Sequence, residues 1–282
     1  MDSLVSTEWL ARELGAADLT VFDATAHATD PSRSANVEFA VGHIPGARFL
    51  DLASFKDASS PVPNALPTAA QFADRLAALG AARGDRVVLY DDSTVKTTCR
   101  AWFILRMNGM VDVAILDGGL AKWKAEGREL EAGEPAVEGI EPEAAEATWS
   151  RVRTKADVLA NLDGRAEQVI DARDAGRFTG DTLDTVHGLP GGHIPGARNL
   201  YFGDLYNPDG TFRSDADLRA AFDRAGVDLA RPTVASCGSG VTASVLLFAL
   251  HRLGVEDGAL YDGSWSEWGA DPATPKETGA AA

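Results

Sequence analysis

Cysteine is scarce in this chain: Cys99 and Cys237 are the only two among 282 residues. Two cysteines are too few for a disulfide scaffold of this size or for a four-cysteine zinc site. The histidines and cysteines show no H-x3-H or C-x2-C spacing, and no G-x-G-x-x-G follows the first predicted strand of either half. We therefore expect no metal and no organic cofactor, and each cysteine is either a packing residue or a nucleophile.

Long apolar runs are also missing. The longest candidate, residues 245–250, falls far short of the roughly 18 apolar residues that span a bilayer. The N-terminus has neither a basic segment nor an apolar core, so no signal peptide is expected. These absences predict a cytoplasmic protein that does not associate with membranes.

Positive charge is in deficit, because 26 Lys and Arg face 42 Asp and Glu, a formal net charge of −16. Such a surface repels nucleic acid and anionic lipid, so neither is an expected partner. The same field repels small anions. An anionic substrate would therefore need local arginines or backbone amides, whereas solubility alone is the simplest explanation of the acidity.

The chain contains an internal duplication. The heptapeptide Gly-His-Ile-Pro-Gly-Ala-Arg occurs at residues 42–48 and again at 192–198. Other pairs keep the same order: 21–24 with 169–172, 72–80 with 218–226, 87–91 with 233–237, and 117–119 with 262–264. One fold of roughly 125 residues, an ordinary domain size, is thus used twice.

Composition also predicts the domain boundaries. Residues 131–148 are rich in Glu, Ala, Gly and Pro and have no apolar period, so they are expected to link domains at 1–130 and 149–270. Residues 271–282 have a similar composition and are expected to form a loose tail.

Each half alternates predicted strands and helices. Ser6 and Thr154 are candidate N-caps for helices at 7–14 and 155–162. Further helices are predicted at 69–79, 98–107, 215–225 and 242–253, and short apolar strands at 20–22 and 168–170 and in the runs ending at Asp91 and Cys237. The alternation predicts an α/β protein in which each half is an open parallel sheet flanked by helices.

Cys237 is the strongest candidate for a catalytic residue. It ends a predicted strand and starts the loop Cys-Gly-Ser-Gly-Val-Thr before an apolar helix, and ligands of open α/β sheets bind at such strand ends. We expect the two glycines to let the loop curl, so that amide N–H groups and the helix dipole favour a thiolate nucleophile. The alternative is a buried cysteine beside a tight turn. Asp91 replaces the cysteine in the first half, which is therefore expected to be inactive, and Cys99 is expected to pack.

These features resemble the tandem-domain rhodanese family of sulfurtransferases. The resemblance rests on Gly-His-Ile-Pro-Gly-Ala in both halves, on the cysteine loop and on residues 261–265, Tyr-Asp-Gly-Ser-Trp. It implies two rhodanese-like domains, of which the C-terminal one forms a persulfide on its cysteine. The loop itself is most similar to that of 3-mercaptopyruvate sulfurtransferases. Thiosulfate-preferring relatives usually carry cationic residues there, and this loop has none.

The resemblance also implies a set of site residues. The implied catalytic residues are Cys237 and Ser239, the substrate-binding residues are Arg177, Gly238, Gly240, Val241 and Thr242, and His43 is a candidate for a proton relay with Ser239. The alternative role for His43 is to hold the loop of its motif by hydrogen bonds. The family's second carboxylate-binding arginine would fall near Val186, where this chain has none, and His187 follows.

The expected activity is transfer of sulfur from 3-mercaptopyruvate, through a Cys237 persulfide, to cyanide or to a thiol such as thioredoxin or a small thiol, with release of pyruvate. A thiosulfate sulfurtransferase and a persulfide carrier without small-molecule turnover remain alternatives. A phosphatase of the same fold would need a Cys-x5-Arg loop, but Ala243 stands where that arginine would be.

Overall fold

A computed structural model describes residues 1–145 and 147–281 of the chain, which divides into two compact units. The first unit comprises Met1–Asp57, Leu66–Thr148 and Asn207–Phe212. The second comprises Ala58–Ala65, Trp149–Tyr206 and the chain from Arg213 onward. A single cut after residue 148 would place residues 58–65 in the first unit and residues 207–212 in the second. In the structure, residues 58–65 belong to the second unit and residues 207–212 to the first.

The first unit is a five-stranded parallel sheet with helices. Its strands are β1 (Leu4–Val5), β2 (Leu19–Asp23), β3 (Arg48–Phe49), β4 (Arg86–Tyr90) and β5 (Val113–Leu116). Its helices are α1 (Thr7–Glu13), α2 (Ala35–Val41), α3 (Ala69–Ala78), α4 (Thr98–Met107) and α5 (Gly119–Ala125). The strand order is β1-β5-β4-β2-β3, and every pair is parallel.

The second unit repeats this plan. Its strands are β6 (Val152–Arg153), β7 (Gln168–Asp171), β8 (Arg198–Asn199), β9 (Thr233–Ser236) and β10 (Ala259–Tyr261). Its helices are α6 (Lys155–Gly164), α7 (Ala175–Thr179), α8 (Asp215–Arg224), α9 (Ala243–Arg252) and α10 (Ser264–Trp268). The order β6-β10-β9-β7-β8 is again all parallel. The predicted α/β class, with an open parallel sheet flanked by helices in each half, is confirmed.

Local sequence explains where the main elements begin. The Ser6 hydroxyl accepts a hydrogen bond from the Trp9 amide, and Thr154 forms a capping box with Asp157. In α4 and α9 nearly every residue is buried, as an apolar helix requires. No helix among the described residues is long and apolar enough to cross a membrane.

The segments that end the two units pair with the repeated Gly-His-Ile-Pro motif. In the linker, Glu131 pairs with His43 in an antiparallel bridge. In the second unit Glu277 pairs in the same way with His193, and the Gly279 amide donates to the Thr179 carbonyl at 2.7 Å. The described residues of the tail are thus paired through their backbone with the Gly-His-Ile-Pro segment, which does not require an apolar period in the tail.

Candidate active site

Cys237 follows β9 directly and lies at its carboxyl end, with only 2% of its surface exposed. Its amide donates to the Ser264 hydroxyl at 3.1 Å, and its carbonyl accepts from the Trp265 amide at 3.0 Å. The start of α10 therefore holds the cysteine backbone in place. Ser264 is not among the site residues predicted from the sequence. In the first unit the equivalent amide, Leu120 N–H, donates to the Asp91 carbonyl.

Ser264 adopts a positive φ of 50°, which is uncommon for a residue with a side chain. Its hydroxyl donates to the Tyr261 carbonyl at 2.9 Å while accepting from the Cys237 amide. Gly119 has the same backbone form in the first unit, with φ of 59°. The change from Gly-Gly to Gly-Ser between the two repeats was the available signal for this residue.

The two loop glycines serve different purposes. Gly240 has φ of +80°, as expected for a curled loop. Gly238 is not in the left-handed region, but a Cβ built on it would lie 2.1 Å from Cε1 of His187. The expectation that both glycines provide backbone curl is thus correct for Gly240 alone. Gly238 instead leaves room for the imidazole ring of His187, which a Cβ at position 238 would displace.

Three amides of the loop before α9 are left without an acceptor in the described part of the chain. Among the residues that the structure describes, the N–H groups of Ser239, Val241 and Thr242 have no hydrogen-bond acceptor. The Ser244 hydroxyl ties the Gly240 carbonyl to the first turn of the helix at 3.1 Å. Amides of this kind, together with the N-terminus of the ten-residue helix α9, stabilise negative charge at the centre of the loop.

A cluster of charged residues lies beside the loop, which we call the Asp184 cluster: Asp184, Arg173, Arg177 and His187. Asp184 is fully buried, and its carboxylate is 2.9 Å from His187 Nδ1, 3.6 Å from Arg177 Nη1 and 3.7 Å from Arg173 Nη1. Burial alone would raise the pKa of Asp184, but the hydrogen bond from His187 and the nearby positive charges lower it below the ordinary value. Asp184 is therefore ionised.

Arg177 is positioned by the short helix α7. Asp174 caps that helix by accepting from the Arg177 amide, and its carboxylate also binds Arg177 Nε at 2.5 Å. The arginine side chain remains 21% exposed. The structure thus brings Arg177 into the same cluster as His187, which itself contacts the cysteine loop.

Arg173 lies beneath the loop and has a structural role. It is fully buried, forms a paired interaction with the Asp171 carboxylate, and donates to the Gly192 carbonyl at 2.6 Å. Its guanidinium stacks over the Trp265 ring at 4.5 Å. Burial favours a lower pKa, yet the pKa of Arg173 is raised because Asp171, Asp184 and Cys237 supply negative charge.

His43 has the same surroundings as its counterpart His193. Each is buried with Nδ1 within 2.9 Å of a carbonyl oxygen, that of Phe39 or Phe178, and each ring stacks on that same phenylalanine. A relay between His43 and Ser239 stays a prediction. The matching contacts in both units favour the alternative, in which these histidines hold the motif together.

Asp91 occupies the cysteine position of the first unit. Its carboxylate accepts from the Ser93 and Thr97 hydroxyls and from the Thr98 amide, and burial raises its pKa. The loop before α4 therefore holds a carboxyl group supplied by the chain itself. Cys99 is buried within α4, as its predicted packing role requires.

Comparison with known proteins identifies the family. The rhodanese-like domain model matches residues 6–126 and again residues 154–271. The chain belongs to the rhodanese family. The resemblance predicted from the repeated motif and the cysteine loop is confirmed.

Curated relatives of this rhodanese-family chain match over almost its whole length. It is 39% identical over 275 residues to the 3-mercaptopyruvate sulfurtransferase of Escherichia coli strain K12, covering 97% of each chain. It is 38% identical over 272 residues to the thiosulfate sulfurtransferase of Gallus gallus, covering 94% of this chain and 93% of that one. The crystal structure of the Escherichia coli 3-mercaptopyruvate enzyme SseA superposes with a TM-score of 0.86 at 35% identity, covering 94% of this chain and 99% of that one.

Proposed function

We propose that this rhodanese-family chain is a 3-mercaptopyruvate sulfurtransferase that carries sulfur as a persulfide on Cys237. The observation that carries the proposal is a cysteine placed at a strand end, in a loop of open amides without Lys or Arg, beside the Asp184 cluster. The amides suit a sulfur anion, and the arginine of the cluster suits a carboxylate. Mercaptopyruvate carries both groups.

The first half-reaction uses the Cys237 thiolate as the nucleophile. Its electron pair forms a bond to the sulfur of mercaptopyruvate while the carbon–sulfur bond breaks. The electrons of that bond pass to the carbon, which leaves as the enolate of pyruvate. The enolate then takes up the proton that the thiol group of the donor gives up, so the outer sulfur is left as an anion. The loop amides stabilise the charge on the outer sulfur of the resulting persulfide.

In the second half-reaction an acceptor removes the outer sulfur. An acceptor thiolate or cyanide attacks it, the sulfur–sulfur bond breaks, and its electrons regenerate the Cys237 thiolate. A small thiol or a thioredoxin fits this role, because each supplies a thiolate for exchange. Such acceptors are kept reduced in the cytoplasm, the location we propose.

The remaining site residues orient the donor. Arg177 holds the carboxylate of mercaptopyruvate by a charge-assisted bond, and the Ser239 hydroxyl donates to the ketone oxygen where enolate charge develops. Gly238, Gly240, Val241 and Thr242 contribute backbone. No metal or organic cofactor takes part in this scheme.

A thiosulfate sulfurtransferase is the second candidate. It is favoured by the 38% identity to the Gallus gallus thiosulfate enzyme and by the absence of a second arginine near Val186. Against it, thiosulfate is a compact dianion that calls for added positive charge in the loop. A persulfide carrier without turnover is the third candidate, and it would have no use for a carboxylate-binding arginine.

Steady-state rates with 3-mercaptopyruvate and with thiosulfate, measured side by side, test the proposal. We expect pyruvate release with the first donor and a markedly lower kcat/KM with the second. Cys237→Ser should abolish turnover, and the matched control Cys99→Ser should retain it. A folded protein that prefers thiosulfate, that releases no pyruvate, or that works without Cys237 would contradict the proposal.

A further inference from the structure

His187 lies in a tight turn that presents its ring to the cysteine loop. Asp184 and Leu189 form an antiparallel bridge, with the Asp184 amide donating to the Leu189 carbonyl at 2.9 Å and the Leu189 amide donating back at 3.1 Å. The His187 amide donates to the Asp184 carbonyl at 3.2 Å. The backbone of the turn is therefore fixed on both sides of the histidine.

The ring itself has a defined orientation. Its Nδ1 is 2.9 Å from the buried Asp184 carboxylate, so this nitrogen carries a proton and donates it. Its ring carbon lies so close to Gly238 that a Cβ at position 238 would clash with the ring in this orientation. The second ring nitrogen, Nε2, has no hydrogen bond to any described residue, and the side chain is 16% exposed. Nε2 is thus the ring atom left to bind a ligand.

Charged groups of both signs surround the ring. The ionised Asp184 is in direct contact with it, and the two arginines lie beyond the same carboxylate at 3.6 and 3.7 Å. The Cys237 thiolate and its persulfide add negative charge next to Gly238. The titratable and charged groups that the structure places around His187 are Asp184, Arg173, Arg177 and Cys237.

We infer that protonated His187 is a substrate-binding residue, which donates Nε2–H to the carboxylate of mercaptopyruvate and works as a second cation beside Arg177. The inference rests on the proposed function. It makes binding of the donor depend on pH through this one side chain, because a neutral imidazole bonded to Asp184 through Nδ1 has no proton left on Nε2 to donate. An arginine would not depend on pH in this way.

The test measures kcat and KM for mercaptopyruvate across about pH 5.5 to 8.5, the range around which histidine side chains titrate. Three proteins are compared with the parent: His187→Asn, which is neutral, His187→Arg, which keeps a permanent charge, and the matched control His251→Asn, which removes a histidine paired with Glu256 elsewhere in the second unit. Pyruvate release is the readout, and circular dichroism establishes that each variant is folded.

We expect the KM of the parent to rise about tenfold from pH 6 to pH 8.5, the size of effect expected on losing a hydrogen bond to a charged group. In His187→Asn the KM should be about tenfold higher at pH 6 and nearly independent of pH. In His187→Arg it should stay low throughout. The kcat should change by less than about threefold in each, and His251→Asn should follow the parent.

Two results would overturn the inference while leaving the proposed function intact. One is a His187→Asn protein with the KM and pH profile of the parent. The other is a His187→Arg protein whose KM rises with pH as steeply as that of the parent. If the parent itself releases no pyruvate, it is the proposed function that fails.

Discussion

The role assigned to Arg177, binding the carboxylate of the donor, predicts a large loss of kcat/KM when this residue is replaced. It reaches the Asp184 cluster through Nη1 while Asp174 binds its Nε. Breaking a partly buried ion pair between protein and ligand typically costs about 2–5 kcal/mol. Arg177→Ala should therefore lower kcat/KM for mercaptopyruvate by roughly 30-fold or more. Arg177→Lys should restore part of the loss, since lysine keeps the charge without the planar fork.

The measurement is kcat/KM from pyruvate release, with thermal unfolding as the control for folding. A folded Arg177→Ala protein within about threefold of the parent, well under 1 kcal/mol, would show that the carboxylate is bound elsewhere.

Asp23, at the end of β2, makes stability depend on pH. Burial raises its pKa to about 6, although the Thr25 amide donates to its carboxylate at 2.9 Å. A raised pKa means that the folded state holds this proton more tightly than the unfolded chain. The stabilising contribution is therefore complete below about pH 4 and is lost as the pH rises through about 6.

Asp23→Asn should be more stable than the parent at pH 7.5, by up to about 2–3 kcal/mol, with the advantage vanishing near pH 4. Urea unfolding at both pH values measures it. The matched control is Asp171→Asn at the equivalent place in β7, where Arg173 is the partner. That change should lower the free energy of unfolding at both pH values, since it removes the carboxylate that the buried Arg173 binds most closely. If the Asp23→Asn protein has the same free energy of unfolding as the parent at pH 7.5, the raised pKa assigned to Asp23 is contradicted.

At the scale of elements, the loops after β4 and β9 occupy the same place in the fold but differ in what their hydrogen-bond donors bind. The first loop runs from Asp91 to the cap residue Thr97, and the second from Cys237 to Thr242, one residue shorter. In the first, the Asp91 carboxylate takes up hydroxyl and amide donors. In the second, amides remain for a ligand. The same strand-to-helix junction therefore holds either a carboxyl group of the chain itself or, in the function proposed above, an anionic ligand.

The C-terminal segment is an element of the second unit, and its loss should be costly. Glu277 bridges to His193 and accepts from the Gly196 amide at 3.0 Å, while Trp268 Nε1 donates to the Pro275 carbonyl at 2.8 Å. Ending the chain after residue 270 removes these bonds. At about 0.5–1.5 kcal/mol for each of these four bonds, we expect a loss of about 2–6 kcal/mol.

Urea unfolding of the shortened and full chains provides the measurement. In the full chain, Glu277→Gln and the matched Glu131→Gln should each cost much less, because the backbone bridge remains. A shortened protein within about 0.5 kcal/mol of the full chain would mean that the tail contributes nothing.

At the scale of the whole molecule, the net charge of −16 opposes the approach of an anionic donor. Salt shortens the range of this field from about 30 Å at 0.01 M to about 8 Å at 0.15 M, while close pairs are screened less. The KM for mercaptopyruvate should therefore fall about two- to threefold between those salt concentrations, with kcat unchanged. The KM for a neutral thiol acceptor is the control. A KM for mercaptopyruvate that rises with salt would show that local cations dominate the approach.

Much of the molecule follows from the sequence alone. The repeated heptapeptide established the duplication, the alternation of apolar strands and capped helices established the α/β class, and the glycine-bracketed loop singled out Cys237. These features are local or periodic, so neighbouring residues are enough to reveal them. The short helices α2 and α7 and the two-residue edge strands escaped prediction because they contain too few residues to show a period.

Only the tertiary structure placed His187 against Gly238, tied Ser264 to the Cys237 amide and paired Glu277 with His193. Each of these contacts joins residues far apart in the chain, and composition carries no information about which distant segments meet. The parallel sheet of the second unit brings β7, β9 and β10 together at their carboxyl ends. Cys237 and its supports follow those strands, and the turn at 184–189 brings the histidine to the same place.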